Sequence, residues 1–158
     1  MLKPGANLPD VLIPATPGLC ETATPLADLL REGPLVIYSY PADHTPLCTR
    51  QACIVRDAVG QHADDLRGAG IRVVGISPQD QSSHDRFASK HDLPFPIIAD
   101  EDKAVLKALQ MLGPLGIPRR VTYLLLRDGT VGDAMTADLM VGKHAGFIRR
   151  AVAAASAR

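Results

Sequence analysis

Cys48 and Cys53 stand five residues apart in the stretch Tyr40 to Cys53, YPADHTPLCTRQAC, and the chain has only three cysteines. Thr45 suits a helix N-cap and Pro46 a first helical position, which sets Cys48 inside the first turn. Unsatisfied amides and the positive end of the helix dipole favour a thiolate there, and the thiolate is the nucleophilic form of cysteine. Five helical residues give a rise of roughly 7.5 Å and a rotation of about 140°, so the two Cα atoms lie about 8–9 Å apart. A disulfide needs less than about 7 Å. The pair cannot bond while the helix is intact. The spacing suits a cycle in which Cys48 reacts in the folded form and Cys53 captures it after the first turns unwind.

The remaining reactive side chains show less pattern. Cys20 has no partner at useful spacing and reads as structural or incidental. His44 is near enough to Cys48 to serve as a base, but no further spacing supports that role and it reads as exposed. His62, His84, His91 and His144 share no ligand spacing. Cys-x4-Cys opens a plant-type iron–sulfur pattern, but the third cysteine such a cluster needs does not follow. A general disulfide oxidoreductase uses Cys-x-x-Cys, whereas four residues intervene here. A non-enzymatic sensor built on the same sulfur would be marked by fast oxidation and slow turnover.

These residues need elements to place them. Residues 1–34 are rich in Pro and Gly, with short extended pieces at Val11–Ile13 and Leu19–Ala23. Leu35–Tyr40 reads as a buried strand after Gly33-Pro34, and Ile71–Ser77 as a second. Pro46 to about Arg67 is helical in composition, with Gly60 a break. Asp80–His91 is a polar-faced helix and Ile97–Ala99 a short strand. Asp102–Leu112 has helical spacing and stops at Gly113-Pro114. Val121–Leu126 is another buried strand, and Asp128-Gly129 turns into Val131–Met135. From about Lys143 the chain closes as an amphipathic helix. This alternation predicts an α/β sandwich with a mixed central sheet, in one domain over residues 1–158. The junction after Tyr40 lies at the carboxyl end of a strand, where such sheets place their sites.

Composition excludes several functions. Hydrophobic residues make up 46% of the 158, enough for a globular core. Lys+Arg and Asp+Glu both number 17, giving no basic field for nucleic acid or an anionic membrane. The N-terminal MLKPGANLPDVLIP lacks the apolar core of a secretory signal, and the longest apolar runs are far too short to span a bilayer. Sparse cysteines point to a cytoplasmic setting.

The whole pattern resembles the peroxiredoxins. Pro41, Thr45 and Cys48 match their active-site signature, Pro-x-x-x-Thr-x-x-Cys. A second cysteine at plus five is similar to the bacterioferritin comigratory protein (PrxQ) type. VVGISPQDQSSHDRFASKHDLPFPIIADEDKAVLKAL and GIPRRVTYLLLRDGTV resemble that family's strand–helix segment and its arginine-bearing segment, so the likeness covers nearly the whole chain. It implies a thioredoxin-like fold with an N-terminal extension. It implies a peroxidase for hydrogen peroxide and organic hydroperoxides, with Cys48 as the attacking cysteine and Cys53 as the resolving one. Thr45 would hydrogen-bond the peroxide, Pro41 would shield the sulfur, and Arg120 rather than Arg119 would stabilise the thiolate and the developing oxyanion. Thioredoxin or a similar dithiol would be the reductant. No cofactor or metal is implied, and a monomer or weak homodimer would suffice. Leu47 stands where the family often has Gly. Gln51 stands where it often has Glu, removing a carboxylate near the reactive sulfur.

Overall fold

The computed structural model describes residues 1–156. A two-residue pair, β1 (Leu12–Ile13) with β2 (Thr24–Pro25), leads into α1 (Leu26–Arg31). The chain then alternates through β3 (Leu35–Ser39), α2 (Pro46–Gln61), α3 (Ala63–Gly68), β4 (Arg72–Ser77), α4 (Gln81–His91), β5 (Ile97–Ala99) and α5 (Ala104–Ala108). It ends in the hairpin β6 (Val121–Leu125) and β7 (Val131–Thr136), followed by α6 (Lys143–Ser156).

The five long strands lie in the order β5-β4-β3-β6-β7. β3, β4 and β5 run parallel, because each crossover between them carries a helix. β6 pairs antiparallel with β3, and β7 with β6. The mixed sheet expected from the sequence is thus present.

The sheet's central strands are buried on both faces, so they read as continuous apolar runs. Val36, Tyr38, Val73 and Leu124 point to one face, where they meet Val55 and Ala58 of α2, Phe87 of α4 and Phe147, Ile148 and Ala151 of α6. Leu35, Ile37, Val74, Ile76, Tyr123 and Leu125 point to the other, against Leu26, Leu29 and Leu30 of α1 and Val105 and Leu106 of α5. The closing helix therefore buries the stripe predicted for it. At the entry to β3, a Cβ on Gly33 would collide with the Gly70 carbonyl oxygen, so only glycine fits there.

Three details depart from the sequence reading. Gly60 does not break its helix: α2 continues to Gln61 and the interruption falls at His62, whose φ and ψ of −111° and 19° leave the helical region. α1 lies inside the Pro- and Gly-rich segment read as extended pieces. The helix expected over Asp102–Leu112 is only Ala104–Ala108, bounded by Lys103 and Gln110 in left-handed conformations (φ 60° and 55°). Its start is held by Asp100, whose carboxylate accepts from the Val105 and Leu106 amides at 3.2 and 2.8 Å.

Candidate active site

Cys48 sits in the first turn of α2, directly beyond the carboxyl end of β3, and is buried to 1% exposure. Pro46 starts the helix without an amide hydrogen to satisfy, and no acidic side chain occupies the first turn to quench its positive end. Thr45 holds the N-cap position with extended backbone, but its hydroxyl makes no capping bond. It donates instead to the Ala42 carbonyl at 3.2 Å, so the hydroxyl cap expected from sequence is not formed. Thr45 is exposed and Pro41 half-buried, on either side of the loop leading to Cys48.

Arg120 reaches this sulfur from the residue just before β6, whose start pairs with the carboxyl end of β3. Its Nη1 donates to Cys48 Sγ at 3.1 Å and to Gln51 Oε1 at 2.7 Å. One cation thus faces the sulfur, and the other oxygen it binds is neutral. The guanidinium is fixed from behind by Nε donating to the Asp138 carbonyl at 3.0 Å. Its backbone is fixed too. The Arg120 amide donates to Asp138 Oδ1 at 2.9 Å, and the buried Ser39 hydroxyl at the end of β3 donates to the Arg119 carbonyl at 2.6 Å. Arg119 points outward to an exposed ion pair with Asp138 at 2.7 Å. Partial burial works against the Asp138 charge, but the Arg120 amide and the Arg119 guanidinium outweigh it and hold that carboxyl below its ordinary range. The expectation that Arg120 is the inward arginine matches this placement.

Gln51 is fully buried one turn below Cys48. With Oε1 committed to Arg120, its Nε2 donates to the Ser39 carbonyl at 3.4 Å and lies 3.5 Å from His144 Nε2. His144, on α6, lies with Nδ1 2.6 Å from the Thr122 hydroxyl. Burial lowers its pKa to about 4, aided by repulsion from Arg120 and opposed by the Ala137 carbonyl and Asp138, so the ring is neutral at pH 7.

A second buried group lies upstream. Asp43 accepts from Tyr40 Oη at 2.6 Å, Ser83 Oγ at 2.7 Å and His84 Nδ1 at 2.7 Å. Burial acts to raise its pKa, but these bonds, that from His84 foremost, bring it below the ordinary value. Burial and the neighbouring Tyr38 and Asp43 push the Tyr40 phenol well up, which keeps it a donor.

Of the residues singled out by sequence, Cys48, Arg120, Thr45 and Pro41 converge at the β3–α2 junction. Cys53 lies further down α2, half-buried, and all three cysteines carry free thiols. Cys20 lies apart from them, its Sγ 3.4 Å from the Pro14 carbonyl. His44 is exposed as expected, in a left-handed conformation (φ 63°) with its ring edge-on to Phe87. Asp43, His84 and His144 were not found from spacing. Their partners are 41 and 22 residues away along the chain, and a lone histidine carries no local signal of such pairing.

The AhpC/TSA family model matches residues 4–134. A chloroplastic peroxiredoxin Q of Arabidopsis thaliana is 44% identical over 98 residues, which cover 61% of this chain and 44% of that protein. The chain thus spans about half the length of the curated relatives it matches. The crystal structure of the peroxidoxin BcpB of Mycobacterium tuberculosis superposes with a TM-score of 0.79 at 28% identity, covering 99% of this chain and 98% of that one. A Xanthomonas campestris bacterioferritin comigratory protein, described for its alkyl peroxide reduction activity, gives 0.77 at 28% identity over 98% of both chains. These neighbours confirm the expected thioredoxin-like fold and the likeness to the PrxQ type.

Proposed function

Because this chain belongs to the AhpC/TSA family, we propose that it is a thiol peroxidase of the PrxQ type working through Cys48. The observation that carries the proposal is a buried sulfur at a helix start with an arginine nitrogen 3.1 Å away. The Cys48 thiolate attacks the terminal oxygen of a hydroperoxide. An S–O bond forms, the O–O bond breaks, and the leaving oxygen takes a proton to depart as water or an alcohol. The sulfur, oxidised by two electrons, is left as a sulfenic acid.

Arg120 stabilises the thiolate and the charge that grows on the peroxide oxygens, an interaction strengthened in the transition state. Thr45 binds the peroxide through its hydroxyl, and Pro41 covers the sulfur. The substrates are hydrogen peroxide and organic hydroperoxides, a reading supported by the alkyl peroxide activity of the Xanthomonas neighbour.

Cys53 completes the cycle once the first turns of α2 open. Its sulfur attacks that of Cys48, an S–S bond forms, and the sulfenic oxygen leaves as water. Thioredoxin or a similar dithiol then reduces the disulfide by exchange, becoming oxidised itself. One chain holds both sulfurs, so a monomer or weak dimer suffices, and a reducing compartment such as the cytoplasm suits the cycle. The test is peroxide consumption with a dithiol donor, comparing wild type with Cys48→Ser. Loss of activity in the variant is expected, and equal rates would refute the assignment.

A further inference from the structure

The loop that delivers Cys48 is tied down far more firmly upstream of the sulfur than the chemistry alone requires. The Asp43 carboxylate is gripped by three donors, from Tyr40, Ser83 and His84. Two of these belong to the first turn of α4. The backbone is gripped as well: the Asp43 amide donates to Gln79 Oε1 at 3.0 Å, and Gln79 Nε2 donates to the Pro41 carbonyl at 3.1 Å. Ser77 Oγ lies 3.0 Å from the Tyr40 carbonyl and 2.6 Å from Gln79 Oε1. His84 Nε2 lies 3.3 Å from the Ser77 carbonyl, closing the cluster around the end of β4.

The restraint stops abruptly. His44 follows in a left-handed conformation that a β-carbon disfavours, and His44, Thr45 and Pro46 are all exposed. A tightly held segment therefore meets a strained, solvated one just before the turn that must unwind for Cys53 to reach Cys48. An opening that lifts Asp43 away from α4 together with Thr45 and Cys48 breaks its bonds to Ser83 and His84, which hold only the closed loop.

We propose that Asp43 is a positioning residue: its buried latch to Ser83 and His84 sets the balance between the closed loop that receives peroxide and the open loop in which Cys53 captures Cys48. The inference rests on the two-step cycle proposed above. Loosening the latch withdraws support from the closed form only. The two chemical steps then respond in opposite directions. Attack on peroxide slows, because Thr45, Pro41 and Cys48 are less often in register. Disulfide closure quickens, because the open form is reached more often.

Rapid-mixing kinetics test this with Asp43→Asn, which keeps the shape and removes the charge. Oxidation of Cys48 is read in a Cys53→Ser background, and closure of the disulfide in the chain with both cysteines. The variant is expected to slow the first step by about tenfold and quicken the second severalfold, in line with a lost charge-assisted hydrogen bond. Ser83→Ala, which removes one donor of three, is expected to move both rates the same way by less. It keeps the test standing should Asp43→Asn fail to fold. Both steps slowing together, or neither changing, would overturn the latch while leaving the cycle intact. A wild-type chain that is oxidised but never closes the disulfide would overturn the cycle, and the latch with it.

Discussion

Arg120 Nη1 divides its donors between a sulfur and an amide oxygen, and the identity of that oxygen matters. A carboxylate at position 51 would draw the cation's field toward itself, whereas the Gln51 amide carries no charge to compete with the sulfur. Arg120→Met is therefore expected to slow the reaction of Cys48 with peroxide by about a hundredfold or more, the cost of losing a preorganised charged donor. Thermal unfolding of the variant separates this from loss of fold. Thr45 makes a sharper test, because its hydroxyl does not cap the helix. Thr45→Val is expected to lower kcat/KM for peroxide by about tenfold, the worth of one hydrogen bond, with little change in stability. An equal loss of stability, with kcat/KM unchanged, would assign Thr45 a purely structural part.

At the scale of elements, α2 holds Cys48 in reach of Arg120 and holds Cys53 out of reach of Cys48. Cys53→Ser is expected to leave the first oxidation at the wild-type rate but to strand the product as sulfenic acid, which excess peroxide carries on to sulfinic acid. Mass spectrometry reads both states. Much of this element logic was legible in the sequence. Pro46 at N1, the two cysteines on one helix and the β3 run before them are local patterns, and local patterns survive into structure. The short elements were not legible. α1 is a six-residue helix behind Pro25 in a segment dominated by turn formers, and its formation depends on Leu26, Leu29 and Leu30 finding the sheet. α5 lost its ends to left-handed residues at Lys103 and Gln110 that periodicity does not reveal. The Thr45 cap failed for a similar reason, its hydroxyl turning back to Ala42. The Asp43–His84 and Thr122–His144 contacts arise only when α4 and α6 fold over the sheet.

Across the whole molecule, buried titratable groups set the response to acid. His144 has its pKa lowered from 6.5 to about 4 in the folded state, so the unfolded chain binds its proton first. Its effect is absent above pH 6.5, grows as pH falls through the window from 6.5 to 4, and saturates below. Over that window it removes about 3 kcal/mol of stability. Asp43 works at lower pH. Its folded pKa is depressed, so its stabilising contribution is present above the ordinary carboxylate range and is lost as pH falls through the folded value. Urea unfolding across this range should show a midpoint falling from pH 6.5 toward 4, and His144→Asn should flatten that slope. A slope unchanged in the variant would place the acid sensitivity elsewhere.

Both sulfurs of the proposed cycle belong to one chain, so turnover per chain should not depend on protein concentration. The account stands or falls on which sulfurs join. One equivalent of hydrogen peroxide added to the reduced protein, followed by non-reducing peptide mass mapping, reads this directly. The predicted product is a single intrachain disulfide between Cys48 and Cys53, with Cys20 still a free thiol. A Cys48 that stays reduced, or one joined to Cys20 or to a second chain, would contradict it.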